Sequence, residues 1–165
     1  MDVRVLVVDD SSEVRALYRR IVGDDDEIIL VGEAENGQEA LDKIGDAAPD
    51  VVVMDVQMPV MGGVDATRKI KERWPDVSVL GCTASNDRAL AKAMAAAGAA
   101  AYIDKAKASK LLIPLVKALG SGPAESGADG ETDGRLETFL DGDNPVAEGT
   151  SRTLDITSVH QQVPK

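Results

Sequence analysis

The sequence predicts an α/β domain in which a parallel sheet of five strands is covered by helices on both faces. Three observations support this fold class. Short, nearly continuous aliphatic segments alternate with amphipathic segments through the first 120 residues. Continuous aliphatic segments are typical of strands that are buried on both faces. Five strand–helix pairs in succession imply right-handed crossovers between parallel strands.

The predicted strands are short segments that are rich in Val, Ile or Leu and show little alternation of polar and apolar residues. The last of them is the weakest, because alanine replaces much of the larger aliphatic content. Pro49 and Pro75 precede the third and fourth strands and mark their starts. In chain order the predicted strands are Val5–Val8, Ile28–Val31, Val51–Met54, Val77–Leu80 and Ala99–Ile103.

The predicted helices lie between these strands and carry apolar residues at helical spacing. In the first helix the i, i+3, i+4, i+7 positions are apolar: Val14, Leu17, Tyr18 and Ile21. Ser11 or Ser12 is suited to cap this helix. Pro114 falls early in the last helix, so the pattern does not define where that helix starts. The predicted helices are Glu13–Val22, Glu39–Ile44, Val64–Trp74, Arg88–Ala97 and Lys110–Leu119.

Length and charge limit the function classes. The chain of 165 residues is long enough for one domain with a core and too short for two full ones. Its formal net charge of -11 disfavours binding to DNA or to an anionic membrane, because both need clustered Lys and Arg. The single cysteine, Cys82, excludes an internal disulfide and is no basis for a zinc site. Since no membrane span or secretory signal is visible, we expect a cytoplasmic protein.

The composition changes near residue 120, which predicts a folded domain at 1–120 and a largely disordered tail at 121–165. The tail has 9 acidic and 3 basic side chains and few apolar ones, too few to offset its ordering entropy. Within it, Arg135–Leu140 could form a helical turn and Leu154–Val159 a strand-like peptide. Two interpretations stay open: a tail without function, and a short recognition segment. His160 has no Cys or His companion that would indicate a metal site.

Polar side chains follow the carboxyl ends of four predicted strands. Asp9 and Asp10 follow the first strand, Asp55 the third and Thr83 the fourth, and Lys105 comes soon after the fifth. Because ligands of parallel sheets bind beyond these ends, we expect the five side chains to meet at one edge. Each alone is typical of a turn or a solvent-facing position. Their common placement at the strand ends indicates a functional site.

The residue types at this edge predict phosphoryl chemistry. Neighbouring carboxylates repel one another, so a site that keeps them ionised needs a cation, and oxygen ligands on an open edge suit Mg²⁺. Asp55 is then the candidate nucleophile toward phosphorus, which would give an acyl phosphate. The metal and Lys105 would neutralise charge on the transferred group, and Thr83 would donate a hydrogen bond to its oxygens.

These residues resemble the receiver domains of two-component response regulators. The resemblance covers about the first 120 residues and rests on four segments: Val5–Ser11, Asp55–Gly63, Thr83-Ala84 and Lys105. It implies a flavodoxin-like (βα)5 fold with the strand order 2-1-3-4-5. The segment Val31–Leu41 further resembles regulators that carry a C-terminal helix-turn-helix.

The resemblance also implies how the site is used. Asp55 would accept a phosphoryl group from a histidine kinase or a phosphotransfer protein. Asp10, Asp55 and the backbone carbonyl of Gln57 would hold Mg²⁺, and Asp9 would act through water.

The resemblance implies a conformational switch as well. Thr83 and Lys105 would contact the phosphoryl group, and Tyr102 would turn inward as Thr83 moves. The fourth helix, fifth strand and fifth helix would then bind a downstream protein or support a phosphorylation-dependent homodimer, and we expect no direct DNA binding.

Two positions depart from the family pattern. Gly62 stands where Asp is common, so that a Gly62-Gly63 pair follows the acceptor loop. Ala106 follows Lys105 where many receivers have proline. The first departure predicts a looser loop after Asp55, and the second leaves the placement of Lys105 open.

Several function classes compete for this chain. The leading hypothesis is a stand-alone receiver that signals by protein–protein interaction or phosphorelay. The alternatives are the receiver of a transcription regulator without its DNA-binding domain, and a phosphate-independent pseudo-receiver that acts through the tail. A Mg²⁺-dependent phosphatase is disfavoured, because Gln57 occupies the position where such enzymes carry an acid–base carboxylate. We therefore expect no turnover enzyme, with slow self-dephosphorylation at most.

Overall fold

The computed structural model describes residues 1–85 and 87–122. Five parallel strands form one sheet in the order β2-β1-β3-β4-β5, so the predicted fold class and strand order are confirmed. The strands are β1 (Val3–Val8), β2 (Ile28–Ala34), β3 (Val51–Asp55), β4 (Ser78–Thr83) and β5 (Ala101–Asp104). The helices are α1 (Ser12–Gly23), α2 (Gly37–Ala47), α3 (Gly63–Arg73), α4 (Arg88–Ala97) and α5 (Ala108–Gly120), with a 3₁₀ turn at Lys105–Lys107.

The sheet separates two hydrophobic cores. Successive residues of β1 point to opposite sides, so that Val5 and Val7 join one core while Leu6 and Val8 join the other. Residues of α1 and α5 cover the first core, and residues of α2, α3 and α4 cover the second. Because both faces of the strands are buried, both sets of side chains must be apolar. This packing explains the continuous aliphatic segments in the sequence.

Local capping determines where several helices begin and end. Ser11, not Ser12, caps α1, and its hydroxyl accepts a hydrogen bond from the Val14 N–H at 3.3 Å. Asn36 caps α2 in the same way. Gly98 ends α4 at φ 104, in the left-handed region that glycine adopts without steric cost.

The strands and helices differ from the predicted ones mainly at their ends. β2 continues to Ala34, which pairs with Val8 of β1, although the sequence pattern ended this strand at Val31. β2 is an edge strand, and its partly exposed end tolerates residues such as Glu33 that interrupt an aliphatic pattern. α5 starts at Ala108, directly after the 3₁₀ turn, two residues before the predicted start.

The predicted tail begins where α5 ends. The two features predicted within it, Arg135–Leu140 and Leu154–Val159, and the lone His160 lie outside the described residues. Among residues 1–85 and 87–122, no helix combines the length and the apolar character that crossing a bilayer requires.

Candidate functional site

Three carboxylates meet at the carboxyl edge of the sheet. Asp9 and Asp10 directly follow β1, and Asp55 is the last residue of the neighbouring strand β3. One oxygen of each residue lies within 4.8 Å of an oxygen of the others. Asp9 is fully buried at 0 % exposure and Asp55 is buried, whereas Asp10 is exposed. The predicted convergence of these three residues is thus present in the structure, with one open side toward solvent.

Lys105 joins this cluster from the 3₁₀ turn that follows β5. Its ammonium lies 2.6 Å from Asp9 Oδ2 and 3.2 Å from Asp55 Oδ1, and the lysine side chain is 19 % exposed. Asp104 Oδ1 accepts a hydrogen bond from the Ala106 N–H at 2.9 Å and so caps the 3₁₀ turn that contains the lysine. A proline at this position has no N–H to donate. Ala106 therefore supplies a contact that holds the turn around Lys105.

Burial and charge shift the pKa values of this cluster. Burial and then the nearby charge of Asp9 raise the pKa of Asp55 to about 6, against the opposing pull of Lys105. Burial alone would lower the pKa of Lys105, but hydrogen bonding to Asp9 and the attraction of Asp55 outweigh it and raise this pKa. One ammonium faces three carboxylates, so negative charge is left over. The all-oxygen donor set and this excess charge fit a hard divalent cation such as Mg²⁺.

Thr83 and Tyr102 lie on the β4–β5 side of the site. Thr83 ends β4 and is 2 % exposed, and its hydroxyl accepts a hydrogen bond from the Ser85 N–H at 3.2 Å. Tyr102 is half-buried in β5, beside Gly81 of β4. Burial raises the pKa of Tyr102, and the nearby Thr83 hydroxyl opposes that rise. The two predicted switch residues therefore lie on adjacent strands at the same side of the site.

Gly81 is a site residue that the sequence analysis missed. A β-carbon at this position would lie 2.9 Å from Cδ2 of Tyr102 and 2.9 Å from Cε of Met94. Real β-carbons do not approach that closely, so glycine makes the space that the tyrosine ring occupies. The pairing of Gly81 with Tyr102 depends on the β4–β5 register, which no local sequence signal reports.

The loop after Asp55 carries the predicted ligand Gln57, which is exposed two residues beyond the acceptor strand. The two glycines at the end of this loop differ in their constraints. A β-carbon at Gly63 would lie 2.1 Å from the Asp55 carbonyl oxygen, whereas one at Gly62 would lie 3.3 Å from the carbonyl oxygen of Val56. Of these two glycines, only Gly63 is required by close approach of the backbone. The looser loop stays a prediction.

Cys82 lies in β4, directly before Thr83. It pairs with Asp55 across β3 and β4 and is fully buried. Burial raises the pKa of its thiol to about 12, which keeps it protonated and unreactive. The hydroxyl of Tyr18, from α1, lies beside this thiol.

Comparison with protein families identifies one match along most of the described chain. The family model for the response regulator receiver domain matches residues 5–117. The response regulator GacA of Pseudomonas viridiflava is 38% identical over 120 residues, which are 73% of this chain and 56% of that protein. The response regulator UvrY of Escherichia coli K12 is 39% identical over 120 residues, which are 73% of this chain and 55% of that protein. The chain thus spans about half the length of these relatives.

Solved structures show the same similarity. The response regulator domain of Thermotoga maritima CheB superposes with a TM-score of 0.69 at 25% identity, covering 75% of this chain and 100% of that one. A LuxR-family two-component response regulator from Aurantimonas sp. SI85-9A1 superposes with a TM-score of 0.68 at 31% identity, covering 74% and 88%. The fold, the acidic site and the sequence similarity all indicate the same family. The chain therefore belongs to the response-regulator receiver family of two-component systems.

Proposed function

We propose that this receiver domain is switched by phosphorylation of Asp55, with the phosphoryl group supplied by a histidine kinase or a phosphotransfer protein. The observation that carries the proposal is the Lys105 ammonium, which contacts the carboxylates of both Asp9 and Asp55. This arrangement sets a point cation beside the nucleophile, where the charge of an incoming phosphoryl group would develop.

The acidic cluster supports a role for Mg²⁺, which receiver domains use in their acidic pocket. Asp10, Asp55 and the backbone carbonyl of Gln57 would hold the ion, and Asp9 would act through water. When bound, Mg²⁺ supplies charge neutralisation for the phosphoryl oxygens. In its absence burial, and then the charge of Asp9, disfavour the ionised form of Asp55 and raise its pKa.

Phosphoryl transfer forms one bond and breaks another. An ionised oxygen of Asp55 attacks phosphorus, and the bond from phosphorus to the donor's imidazole nitrogen breaks, with its electron pair staying on that nitrogen. The product is an acyl phosphate on Asp55. Lys105 binds one phosphoryl oxygen, and Thr83 donates its hydroxyl to another.

The output of the domain is a change in surface conformation. Phosphorylation draws the Thr83 hydroxyl toward the phosphoryl group, which changes its contact with Tyr102 and favours one of two pre-existing states. The surface formed by α4, β5 and α5 then binds a downstream protein or joins a second copy of the chain. The alternative output is phosphorelay, in which Asp55 passes its phosphoryl group to a phosphotransfer protein. Receiver domains are signalling modules and not turnover enzymes. Slow self-dephosphorylation of Asp55 would reset this one.

A second candidate function is that of the receiver of a transcription regulator. Two observations favour it: the chain spans about half of the GacA and UvrY proteins, and one similar structure is a LuxR-family regulator. The net charge of -11 argues against DNA contacts by this chain itself. An electrophoretic shift assay with the phosphorylated protein tests it, and retarded DNA would favour this second function.

The experiment that tests the main proposal is intact mass spectrometry after incubation with phosphoramidate, with and without Mg²⁺. We expect one alkali-labile phosphate adduct that requires the metal, is absent in Asp55→Asn and persists in the matched surface control Asp76→Asn. Labelling of the Asp55→Asn variant would contradict the assignment of the acceptor. A wild-type chain without an adduct under all conditions would instead favour a phosphate-independent pseudo-receiver that acts through residues 121–165.

A further inference from the structure

Arg15 differs from the other arginines of α1 in its burial. The sequence places Arg15, Arg19 and Arg20 on the polar side of the helix. In the structure the side chain of Arg15 is only 13 % exposed, whereas that of Arg19 is 58 % exposed. A guanidinium so far removed from water requires hydrogen-bond acceptors in the protein. Its acceptors lie next to the acidic cluster.

The first acceptor of Arg15 is the backbone carbonyl of Asp9, which its Nη1 contacts at 2.8 Å. This carbonyl belongs to the peptide group that joins Asp9 to Asp10. Because a peptide group is planar, a fixed carbonyl oxygen also fixes the direction in which the chain enters Asp10. The hydrogen bond therefore acts on the backbone that carries two of the three carboxylates.

Two carboxylates anchor the other side of the guanidinium. Nη2 of Arg15 lies 3.2 Å from Glu35 Oε1, and its Nε lies 3.6 Å from Glu33 Oε2. Glu33 is itself held by Arg19, whose Nε and Nη2 donate to its two oxygens at 2.7 and 2.9 Å. The hydrogen bond from Arg19, then the charges of both arginines, lower the pKa of Glu33 and keep it ionised. Arg15 thus ties the end of β1 to the end of β2.

We infer that Arg15 is a positioning residue for the Asp9–Asp10 pair and thereby sets the affinity of the acidic cluster for Mg²⁺, an inference that rests on the proposed function. The guanidinium is a rigid fork that reaches the Asp9 carbonyl and the β2 carboxylates at the same time. A lysine ammonium keeps the charge but cannot span these acceptors. The function of Arg15 is geometric, because Arg19 brings the same charge to the same Glu33 without contacting Asp9.

The test compares Mg²⁺ titrations of thermal stability for the full chain and three variants: Arg15→Met, Arg15→Lys and Arg19→Met. Losing a residue that orients metal ligands weakens metal affinity by about 10-fold to 100-fold. We expect both Arg15 variants to need about tenfold more Mg²⁺ for half-maximal stabilisation. Arg19→Met, the matched control, keeps the wild-type midpoint.

The outcomes separate this inference from the proposed function. If Arg15→Met lowers the melting temperature without Mg²⁺ but keeps the wild-type Mg²⁺ midpoint, its role is structural and the inference is wrong. An Arg15→Lys variant with the wild-type midpoint would assign the effect to charge and would also overturn it. If the wild-type chain itself shows neither stabilisation by Mg²⁺ nor labelling, the proposed function fails, and this inference fails with it.

Discussion

The ring of Tyr102 lies directly against Gly81, so that a β-carbon on Gly81 would come within 2.9 Å of Cδ2 of the tyrosine. The two residues are register neighbours in β5 and β4, and Thr83 lies two residues further along β4. Glycine at position 81 therefore permits the inward position of the tyrosine that the switch hypothesis requires.

The first prediction concerns this contact. Gly81→Ala should displace the Tyr102 ring outward and leave the fold intact, because the ring and the end of Met94 are movable side chains. The measurement is fluorine NMR of protein labelled with 3-fluorotyrosine, in which only two tyrosines report. We expect the Tyr102 resonance to shift toward its solvent-exposed position while that of Tyr18 stays in place. An unchanged Tyr102 resonance would show that the ring does not need the space at Gly81.

The second prediction concerns the ion pair of Lys105 with the fully buried Asp9. Lys105→Ala should destabilise the Mg²⁺-free protein by about 3 kcal/mol, because it leaves a buried carboxylate without its partner. Urea unfolding monitored by circular dichroism measures the change, and Lys110→Ala, an exposed lysine of α5, is the control. Equal stability of the two variants would mean that the ion pair contributes nothing. Added Mg²⁺ should restore much of the lost stability.

The third prediction concerns pH. Asp55 has a pKa of about 6 in the folded protein and an ordinary value of 3.8. Because the folded value is raised, the neutral carboxyl favours folding below pH 4, and this contribution is lost as the pH rises through 6. Asp55→Asn mimics the neutral form. Without Mg²⁺ it should match the wild type near pH 4 and exceed it by about 3 kcal/mol at pH 7.5.

Urea unfolding at several pH values tests this third prediction, with Asp76→Asn as a surface control. A stability difference between Asp55→Asn and the wild type that does not change with pH would contradict the raised pKa of Asp55. Added Mg²⁺ should shrink the difference at pH 7.5, because the cation stabilises the ionised carboxylates.

The fourth prediction separates the two glycines that follow the acceptor loop. Gly63→Ala should destabilise the protein by about 3 kcal/mol, because its β-carbon would collide with the Asp55 carbonyl. Gly62 caps α3 without a side-chain hydrogen bond and has φ -73, which any residue adopts. Gly62→Asp should therefore be neutral or stabilise by a few tenths of a kcal/mol. Thermal unfolding of both variants measures the change in stability. A destabilised Gly62→Asp variant would show that the loop needs glycine at this position too.

Much of the fold was predictable because it depends on patterns that are local in the sequence. Aliphatic segments indicated the strands, and their continuity indicated burial on both faces. The predicted β2 was three residues too short, because an edge strand needs no continuous apolar segment and Glu33 interrupts the pattern. Ser11 and Ser12 were equally good caps by composition, and only the backbone geometry selected Ser11.

The residues of the candidate site were predictable from the sequence, but the residues that hold them in place were not. Asp9, Asp55 and Lys105 follow strand ends, and parallel strands bring such ends to one edge. Their chemical roles stay predictions until the acceptor is measured. Gly81 and Arg15 gave no signal, since one acts through strand register and the other through a long-range hydrogen bond.

The sequence by itself determined the class of this protein: a five-stranded parallel sheet, an acidic cluster at its carboxyl edge and a match to the receiver family. These features follow from residue type and from order along the chain. Only the tertiary structure decided which side chains support the cluster. It buried Arg15 against the Asp9 carbonyl, left Arg19 largely exposed, and placed Gly63, but not Gly62, against the Asp55 carbonyl. Such differences between like residues arise from contacts across the fold, which a local pattern does not contain.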